Sequence, residues 1–155
     1  MSLNESKVEE AALTWFAELG YSVMHGPAIA PGEQGAQRTG FGEVVLAERF
    51  LAALGKLNPK LPAEALGEAF RKVTMAQRPL LTANNRAFHR MLVDGIAVEC
   101  RRKDGTVGAQ IARLVDFDDP EANDWLAQNQ FTVIHAPSHP ARRAAVEPAE
   151  QASRV

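Results

Sequence analysis

The strongest structural signal in this sequence is the run Ser6-Lys7-Val8-Glu9-Glu10-Ala11-Ala12-Leu13-Thr14-Trp15-Phe16-Ala17-Glu18-Leu19-Gly20. Its apolar residues recur at the three- and four-residue spacing of one helical face: Val8, Ala11, Ala12, Trp15, Phe16 and Leu19. Ser6 and Glu9 have the spacing of a capping box, and Gly20 suits the left-handed residue that follows a helix. The run therefore predicts an amphipathic helix, with a short strand after it at 21–24.

The next segment, 25–41, is dense in glycine and proline, which exclude a regular element. We expect a long irregular loop there. A loop of this length in a compact domain is often functional, although the alternative is a surface loop without a function of its own.

Two amphipathic segments follow the loop. One covers 43–57 and ends before Pro59; the other begins at Pro62, with its apolar face at Leu66, Ala69, Phe70 and Val73. Together they predict a helical hairpin.

The remaining elements alternate between helix and strand. A short helix is predicted to begin at Asn84 or Asn85, and a β-hairpin to follow with strands at 96–101 and 110–116. A helical stretch from Pro120 to Leu126 and a strand at 130–135 complete the pattern. This mixture predicts an α+β domain over residues 1–135, followed by a Pro/Ala-rich tail at 136–155 that we expect to be disordered.

Bulk composition narrows the functional classes. The net charge of −2 argues mildly against autonomous tight binding to DNA, although a local basic patch is not excluded. There is no apolar run of 18 residues and no signal-peptide pattern, and Cys100 is the one cysteine in 155 residues. We expect a cytoplasmic protein with no membrane partner and no internal disulfide.

Several motifs in order resemble the N-terminal part of type I restriction enzyme subunit R. The resemblance covers residues 4–134 and rests on these stretches: Asn4-Glu5-Ser6, Val8-Glu9-Glu10-Ala11-Ala12-Leu13, Leu19-Gly20-Tyr21, Gly26-Pro27-Ala28-Ile29-Ala30-Pro31-Gly32-Glu33, Leu57-Asn58-Pro59-Lys60-Leu61-Pro62, Asn84-Asn85-Arg86-Ala87-Phe88-His89-Arg90-Met91-Leu92-Val93-Asp94-Gly95, Leu114-Val115-Asp116-Phe117-Asp118, Asn123-Asp124-Trp125-Leu126 and Asn129-Gln130-Phe131-Thr132-Val133-Ile134. As a series of motifs this match is specific, although none of them alone dictates a chemistry.

The resemblance implies a nuclease domain of the PD-(D/E)xK type, here with an inserted helical hairpin and a β-hairpin, followed in the family by ATPase lobes. It implies Mg²⁺ and ATP as cofactors of the full-length protein, and DNA and the modification and specificity subunits as partners. In the family, the carboxylates of an Asp and of a Glu-x-Lys motif hold Mg²⁺ and the lysine orients the attacking water, on neighbouring strands just after the segment that matches 130–134. This chain has no aspartate after Asp124 and no lysine after Lys103.

We therefore expect a truncated nuclease domain that is inactive alone, shortened by a frameshift, an early stop or an engineered end. The alternative is a non-catalytic module that docks on the other subunits or on DNA through 25–41 and 43–73. The chain also lacks a phosphate-binding loop, since Gly55-Lys56 has neither the earlier glycine nor the following Ser or Thr.

Candidate site residues are few. Glu9 is a candidate accessory acid of the nuclease site, and its competing interpretation is the capping box. Five basic residues are candidate DNA contacts, although charged surfaces are often only solvated: Arg86, Arg90, Arg101, Arg102 and Lys103.

Three other groupings favour ordinary structural roles. His135 and His139 have a metal-ligand spacing, but Pro137 between them prevents a helix. The acidic cluster at 116–119 is expected to end a strand and cap a helix. Cys100 is expected to be an inert thiol in a strand.

Overall fold

The computed structural model describes residues 4–75, 80–101 and 105–134. Its α-helices are α1 (Glu5–Glu18), α2 (Ala47–Leu57), α3 (Ala63–Thr74) and α4 (Leu81–Asp94). Its strands are β1 (Ser22–His25), β2 (Ile96–Arg101), β3 (Val107–Ala112) and β4 (Leu126–Asn129). Within these residues, every helix is too short or too polar to cross a lipid bilayer. This mixture confirms the predicted α+β class.

Helix α1 forms where the sequence predicted it, but its cap is different. The N-cap residue is Asn4, whose side-chain oxygen accepts a hydrogen bond from the Lys7 backbone N–H at 3.1 Å. The predicted capping box of Ser6 and Glu9 is therefore wrong, because the helix begins two residues earlier at a residue that caps as well as serine does. Gly20 has a φ of 87°, as the helix end required.

The predicted apolar face of α1 is only partly covered. Val8, Trp15 and Leu19 are 57%, 66% and 72% exposed, whereas Ala12 and Leu13 are half-buried. The reason is the small area beneath the helix, which packs mainly against the two short strands β1 and β4. The helix is thus where the sequence predicted it, but much of its apolar face is exposed.

Strands β1 and β4 form a parallel pair, in register from Ser22 opposite Leu126 to His25 opposite Asn129. The strand predicted at 130–135 thus lies four residues earlier, and it ends at Asn129, just before Gln130, whose φ of 50° is left-handed. The helix predicted from Pro120 to Leu126 shrinks to a 3-10 turn, Pro120–Ala122. Residues from Trp125 onward pair with β1 instead of continuing the predicted helix, since the Trp125 carbonyl accepts a hydrogen bond from Ser22 N–H.

The core lies between the β2–β3 antiparallel hairpin and the α2–α3 helical hairpin, both of which were predicted. Side chains of β2 alternate between buried and exposed. The buried core residues are Leu54, Ala65, Ala69, Ile96, Val98, Cys100 and Ala112. Rings of Phe50 and Phe70 pack across the helical hairpin with centroids 5.6 Å apart.

The limits of three predicted elements shift. Helix α2 begins at Ala47 rather than 43, because Glu43 is bonded to Thr39 in the preceding turn. Helix α4 begins at Leu81, so the predicted cap at Asn84 or Asn85 is wrong: the Asn84 N–H already donates to Leu80 O. Strand β3 ends at Ala112 rather than 116, because the buried Asn58 binds the backbone N–H and carbonyl of Arg113.

Side chains of α3 cover the outer edge of β2. Lys72 Nζ donates to the Ala97 carbonyl at 2.7 Å, and the Glu68 carboxylate accepts from Glu99 N–H at 3.0 Å. Lys72 and Glu68 also pair with each other at 2.6 Å. These bonds satisfy strand groups that would otherwise offer an open edge to other chains. The hydrogen bond from Lys72, and then the one from Glu99 N–H, lower the pKa of Glu68.

This edge contact predicts a dependence of stability on pH. A carboxyl whose pKa is lower in the folded state stabilises the fold above its unfolded pKa, and that contribution is lost as the pH falls through the folded value. We expect the urea midpoint to fall less between about pH 6 and pH 3 in Glu68→Gln than in the unmodified chain. The matched control is Glu64→Gln, on the same helix but without a described ion pair. Equal acid sensitivity in the two variants would contradict the assignment.

Candidate functional site

Four polar side chains lie close together at the carboxyl ends of the parallel strands β1 and β4. Glu9 comes from α1, and the others come from the strand ends or just after them. We call these residues the edge cluster: Glu9, His25, Asn129 and Gln130. His25 Nδ1 lies 2.8 Å from Asn129 Oδ1. Glu9 and Asn129 line one surface cavity between α1 and the strands. Because His25 stands in register with Asn129, it shares that face of the pair.

The contacts of the Glu9 carboxylate distinguish the two interpretations of this residue. With Asn4 as the cap, its carboxylate makes no capping bond; instead, Oε2 lies 3.5 Å from Gln130 Nε2. Glu9 is half-buried and faces the carboxyl edge of β1 and β4. Ligands of α/β folds commonly bind at such an edge. The position therefore favours the accessory-acid interpretation, which remains a prediction.

The backbone at this edge is tightly constrained. Gly26 follows His25, and a Cβ on it would lie 2.4 Å from the Asn129 carbonyl oxygen and 2.6 Å from that of Gln130. Only glycine permits this approach. Gln130, with its positive φ, is the one such non-glycine residue in the described segments. Strain of this kind often occurs at functional sites, where the surrounding structure holds it.

The cluster does not by itself fit Mg²⁺, which prefers several oxygen ligands. Glu9 is its one carboxylate, and residues 4–75, 80–101 and 105–134 contain no group of three His, Cys, Asp or Glu side chains able to hold a metal ion. No chemical step through a metal is derived from these residues.

A second feature is Arg38, which is 5% exposed. Its guanidinium donates to the Glu43 carbonyl at 3.2 Å and to the Thr132 carbonyl at 2.7 Å. It lies 3.8 Å from the centre of the Phe131 ring and 5.4 Å from that of Phe41. It thus joins the glycine-rich loop to the segment after β4. Sequence reasoning missed this role, because nothing local distinguishes one arginine in an irregular loop.

Beside Arg38, a cavity of about 640 Å³ lies between the loop, the start of α2 and the end of α3. Two exposed carboxylates line it, Glu43 and Glu48. The Thr39 hydroxyl and then the Thr39 N–H lower the pKa of Glu43 by hydrogen bonding, so this carboxylate is charged near neutral pH. We call this the acid-lined cavity.

The predicted DNA contacts are only partly visible. Arg86 and Arg90 are exposed and one turn apart on α4, and Arg101 is exposed at the end of β2. None of the three forms an ion pair with another described residue. Arg102 and Lys103 lie outside the described residues, as do His135 and His139. DNA contact by these side chains stays a prediction.

The acidic cluster at 116–119 forms a turn. Asp116 Oδ1 accepts from the N–H groups of Asp118 and Asp119, and Oδ2 accepts from Arg113. The bond from Asp119 N–H is the main cause that lowers the pKa of Asp116. The expectation that this cluster ends a strand and caps a helix is wrong, because β3 already ends at Ala112 and Asp119, which precedes the 3-10 turn, makes no side-chain capping bond. Cys100 is a buried free thiol, as predicted for that strand.

The fold and its polar edge place the chain among mixed α+β domains, and sequence comparison then identifies the family. A profile described as "Type I restriction enzyme R protein N terminus" matches residues 2–144. The chain belongs to this family. The match also extends beyond Ile134, where the motif resemblance ended.

Two curated relatives are similar over most of the chain. The putative type I restriction enzyme MjaIXP endonuclease subunit of Methanocaldococcus jannaschii is 31% identical over 132 residues, which are 84% of this chain and 12% of the relative. The type I restriction enzyme HindI endonuclease subunit of Haemophilus influenzae is 30% identical over 131 residues, with the same coverage. The chain thus spans about 12% of the length of these relatives. No solved structure matches it significantly.

Proposed function

We propose that this chain serves as the N-terminal part of a type I restriction endonuclease subunit, whose family role is ATP-dependent cleavage of unmodified foreign DNA. The observation that carries the proposal is the position of Glu9 at the carboxyl edge of the parallel pair, in a chain that belongs to the R-protein N-terminal family. In this proposal the domain is of the PD-(D/E)xK type and Glu9 is its accessory acid. Further carboxylates must then come from other parts of a full-length subunit.

The proposal also accounts for the location of the site. The chain leaves β4 beside Glu9 and His25, because Asn129 contacts His25 and Gln130 contacts Glu9. The proposal requires carboxylates from other parts of a full-length subunit to reach the same edge. Two or more carboxylates around Mg²⁺ would supply the charge needed to polarise a phosphodiester. By itself, this chain is expected not to cleave DNA.

A chimaeric subunit tests the proposal. Residues 4–134 would replace the matched segment of the Haemophilus influenzae HindI endonuclease subunit, expressed with the modification and specificity subunits of that system. We expect the chimaera to restrict unmodified phage. We expect Glu9→Gln to lower restriction about 100-fold or more, the scale on which loss of a metal-site carboxylate or its support acts.

The control variant is Glu18→Gln, which removes an equal charge from the other end of α1, away from the cavity that Glu9 lines. Its restriction should match that of the unsubstituted chimaera. A stable chimaera without restriction, or equal loss in the Glu9 and Glu18 variants, would contradict the proposed role.

A second candidate function is a non-catalytic module that docks on other restriction subunits or on DNA. The observation that favours it is the acid-lined cavity, which lies between the two segments expected to form such contacts. Specific capture of the modification or specificity subunit by the isolated chain, without any effect of Glu9 in the chimaera, would favour this function over the nuclease role.

A further inference from the structure

The two strands of the β2–β3 hairpin differ in how their outer edges are covered. Lys72 Nζ donates to the Ala97 carbonyl and the Glu68 carboxylate accepts from Glu99 N–H, so α3 covers the outer edge of β2. Within the described segments, no hydrogen bond joins the outer edge of β3 to another residue. The hairpin therefore has one protected edge and one open edge.

The register shows which backbone groups of β3 lie on the open edge. Ala97 and Glu99 point their bonded groups away from β3, so they belong to the pairs of the ladder that exchange no hydrogen bonds. Their partners Ile111 and Ala109 therefore also point N–H and C=O away from the hairpin, and so does Val107, two residues further along. Three N–H and three C=O groups are thus open to another strand.

The sequence of β3 does not prevent pairing with another chain. Its residues include no charge and no proline, which are the usual protection of an edge strand. Val107 and Ile111 are each 59% exposed on the outer face. Ile111 also lines a surface cavity with Val93 and Phe117, which are 58% and 62% exposed. The open edge thus borders an apolar surface, which is typical of an interaction site.

The open edge is also complementary to itself. When two copies of β3 run antiparallel about a two-fold axis at Ala109, Val107 of one copy stands opposite Ile111 of the other, and Ala109 opposite Ala109. Each of these pairs exchanges two hydrogen bonds, because both members point their backbone groups at each other. This register uses every open group and places β-branched side chains side by side. A second copy of the chain therefore fits the edge.

We propose that two copies of this chain pair through β3 and form a four-stranded antiparallel sheet in the order β2–β3–β3–β2. The two-fold axis is normal to the sheet, so the helical hairpins of both copies lie on the same face. The contact is limited to one strand and its apolar border, and small interfaces of this kind are weak. The dimer is therefore reversible, and its population rises with protein concentration.

Cysteine cross-linking of the full chain tests the register. The two Cα atoms of a hydrogen-bonded antiparallel pair lie about 5.5 Å apart, which a disulfide can bridge. Ala109→Cys should therefore give a covalent dimer on mild oxidation, measured on a non-reducing gel. The matched control is Ala97→Cys, which is also exposed but lies on the outer strand, away from the axis. Equal yields from the two variants, or no dimer from Ala109→Cys, would overturn the proposal.

Analytical ultracentrifugation tests the proposal without an added cysteine. Ala109→Pro removes an open N–H but no hydrogen bond of the β2–β3 ladder, and it should raise the dimer Kd about tenfold or more. Val107→Lys with Ile111→Lys should abolish the dimer, because like charges would stand opposite each other. Val107→Lys with Ile111→Glu should restore it, because each new cation would face an anion of the second copy.

The last two variants differ only at residue 111, so their comparison separates the register from a simple loss of apolar surface. Equal dimer Kd values for these two variants would overturn the proposal. An unmodified chain that stays monomeric up to about 1 mM would also overturn it. The open edge would then be left to a strand from another part of a full-length subunit.

Discussion

Replacing Arg38 by alanine is expected to lower the free energy of unfolding by about 2–4 kcal/mol, because the change removes a buried cation–π contact and leaves two carbonyls without their donor. The guanidinium holds the Glu43 and Thr132 carbonyls and stacks on Phe131 at 3.8 Å. Arg38→Lys should recover little, because an ammonium group cannot bridge both carbonyls while it stacks on the ring. Urea unfolding followed by tryptophan fluorescence measures the difference.

The matched control for this prediction is Arg86→Ala, which removes an exposed guanidinium from α4. Surface changes of this kind usually alter stability by less than about 0.5 kcal/mol. If the two alanine variants unfold at the same urea concentration, Arg38 does not connect the loop to the segment after β4 in the way described.

A comparable loss, about 3 kcal/mol, is expected for Gly26→Ala, because the added methyl group would overlap backbone atoms that cannot move alone. Its Cβ would lie 2.4 Å from the Asn129 carbonyl oxygen and 2.6 Å from that of Gln130. The substitution should separate β1 from β4 at their carboxyl ends and weaken the contact of His25 with Asn129. Denaturant unfolding gives the stability, and the His25 ring signals report the local change.

Gly42→Ala is the control, since its Cβ would make an ordinary contact at 3.7 Å. Where the backbone permits it, replacement of glycine by alanine stabilises by about 0.4–1 kcal/mol through the unfolded state. A Gly26→Ala variant as stable as Gly42→Ala would show that the two strands do not approach as closely as the structure has them.

Local sequence patterns predicted the elements whose stabilising contacts are themselves local. The strand Ile96–Arg101 was predicted with its observed limits, since its alternation of apolar and polar residues and the Asp94-Gly95 turn lie within a few positions. The helical hairpin followed from Pro59, Pro62 and the apolar spacing on each side. The predictions were wrong where contacts between residues far apart in the sequence determine the structure. Ser22 pairs with Leu126, and no local pattern identifies that register.

The candidate site was predictable to a smaller extent. Glu9 was identified from the family resemblance, but its position at the strand edge required the fold. His25 and Asn129 were missed, because they are 104 positions apart and only the parallel register brings their side chains together. Gly26 offered a signal in retrospect, since glycine directly after a strand often marks a close approach of two backbone segments.

The most direct test of the proposed nuclease role is a plasmid-cleavage assay with Mg²⁺ and ATP. It compares the purified 155-residue chain with the chimaeric HindI enzyme that carries residues 4–134. We predict that the chain alone leaves supercoiled DNA intact and that the chimaera cleaves it in a manner that depends on Glu9. Mg²⁺-dependent nicking by the isolated chain that is lost in Glu9→Gln would contradict the account, because residues 1–155 would then contain a complete nuclease site.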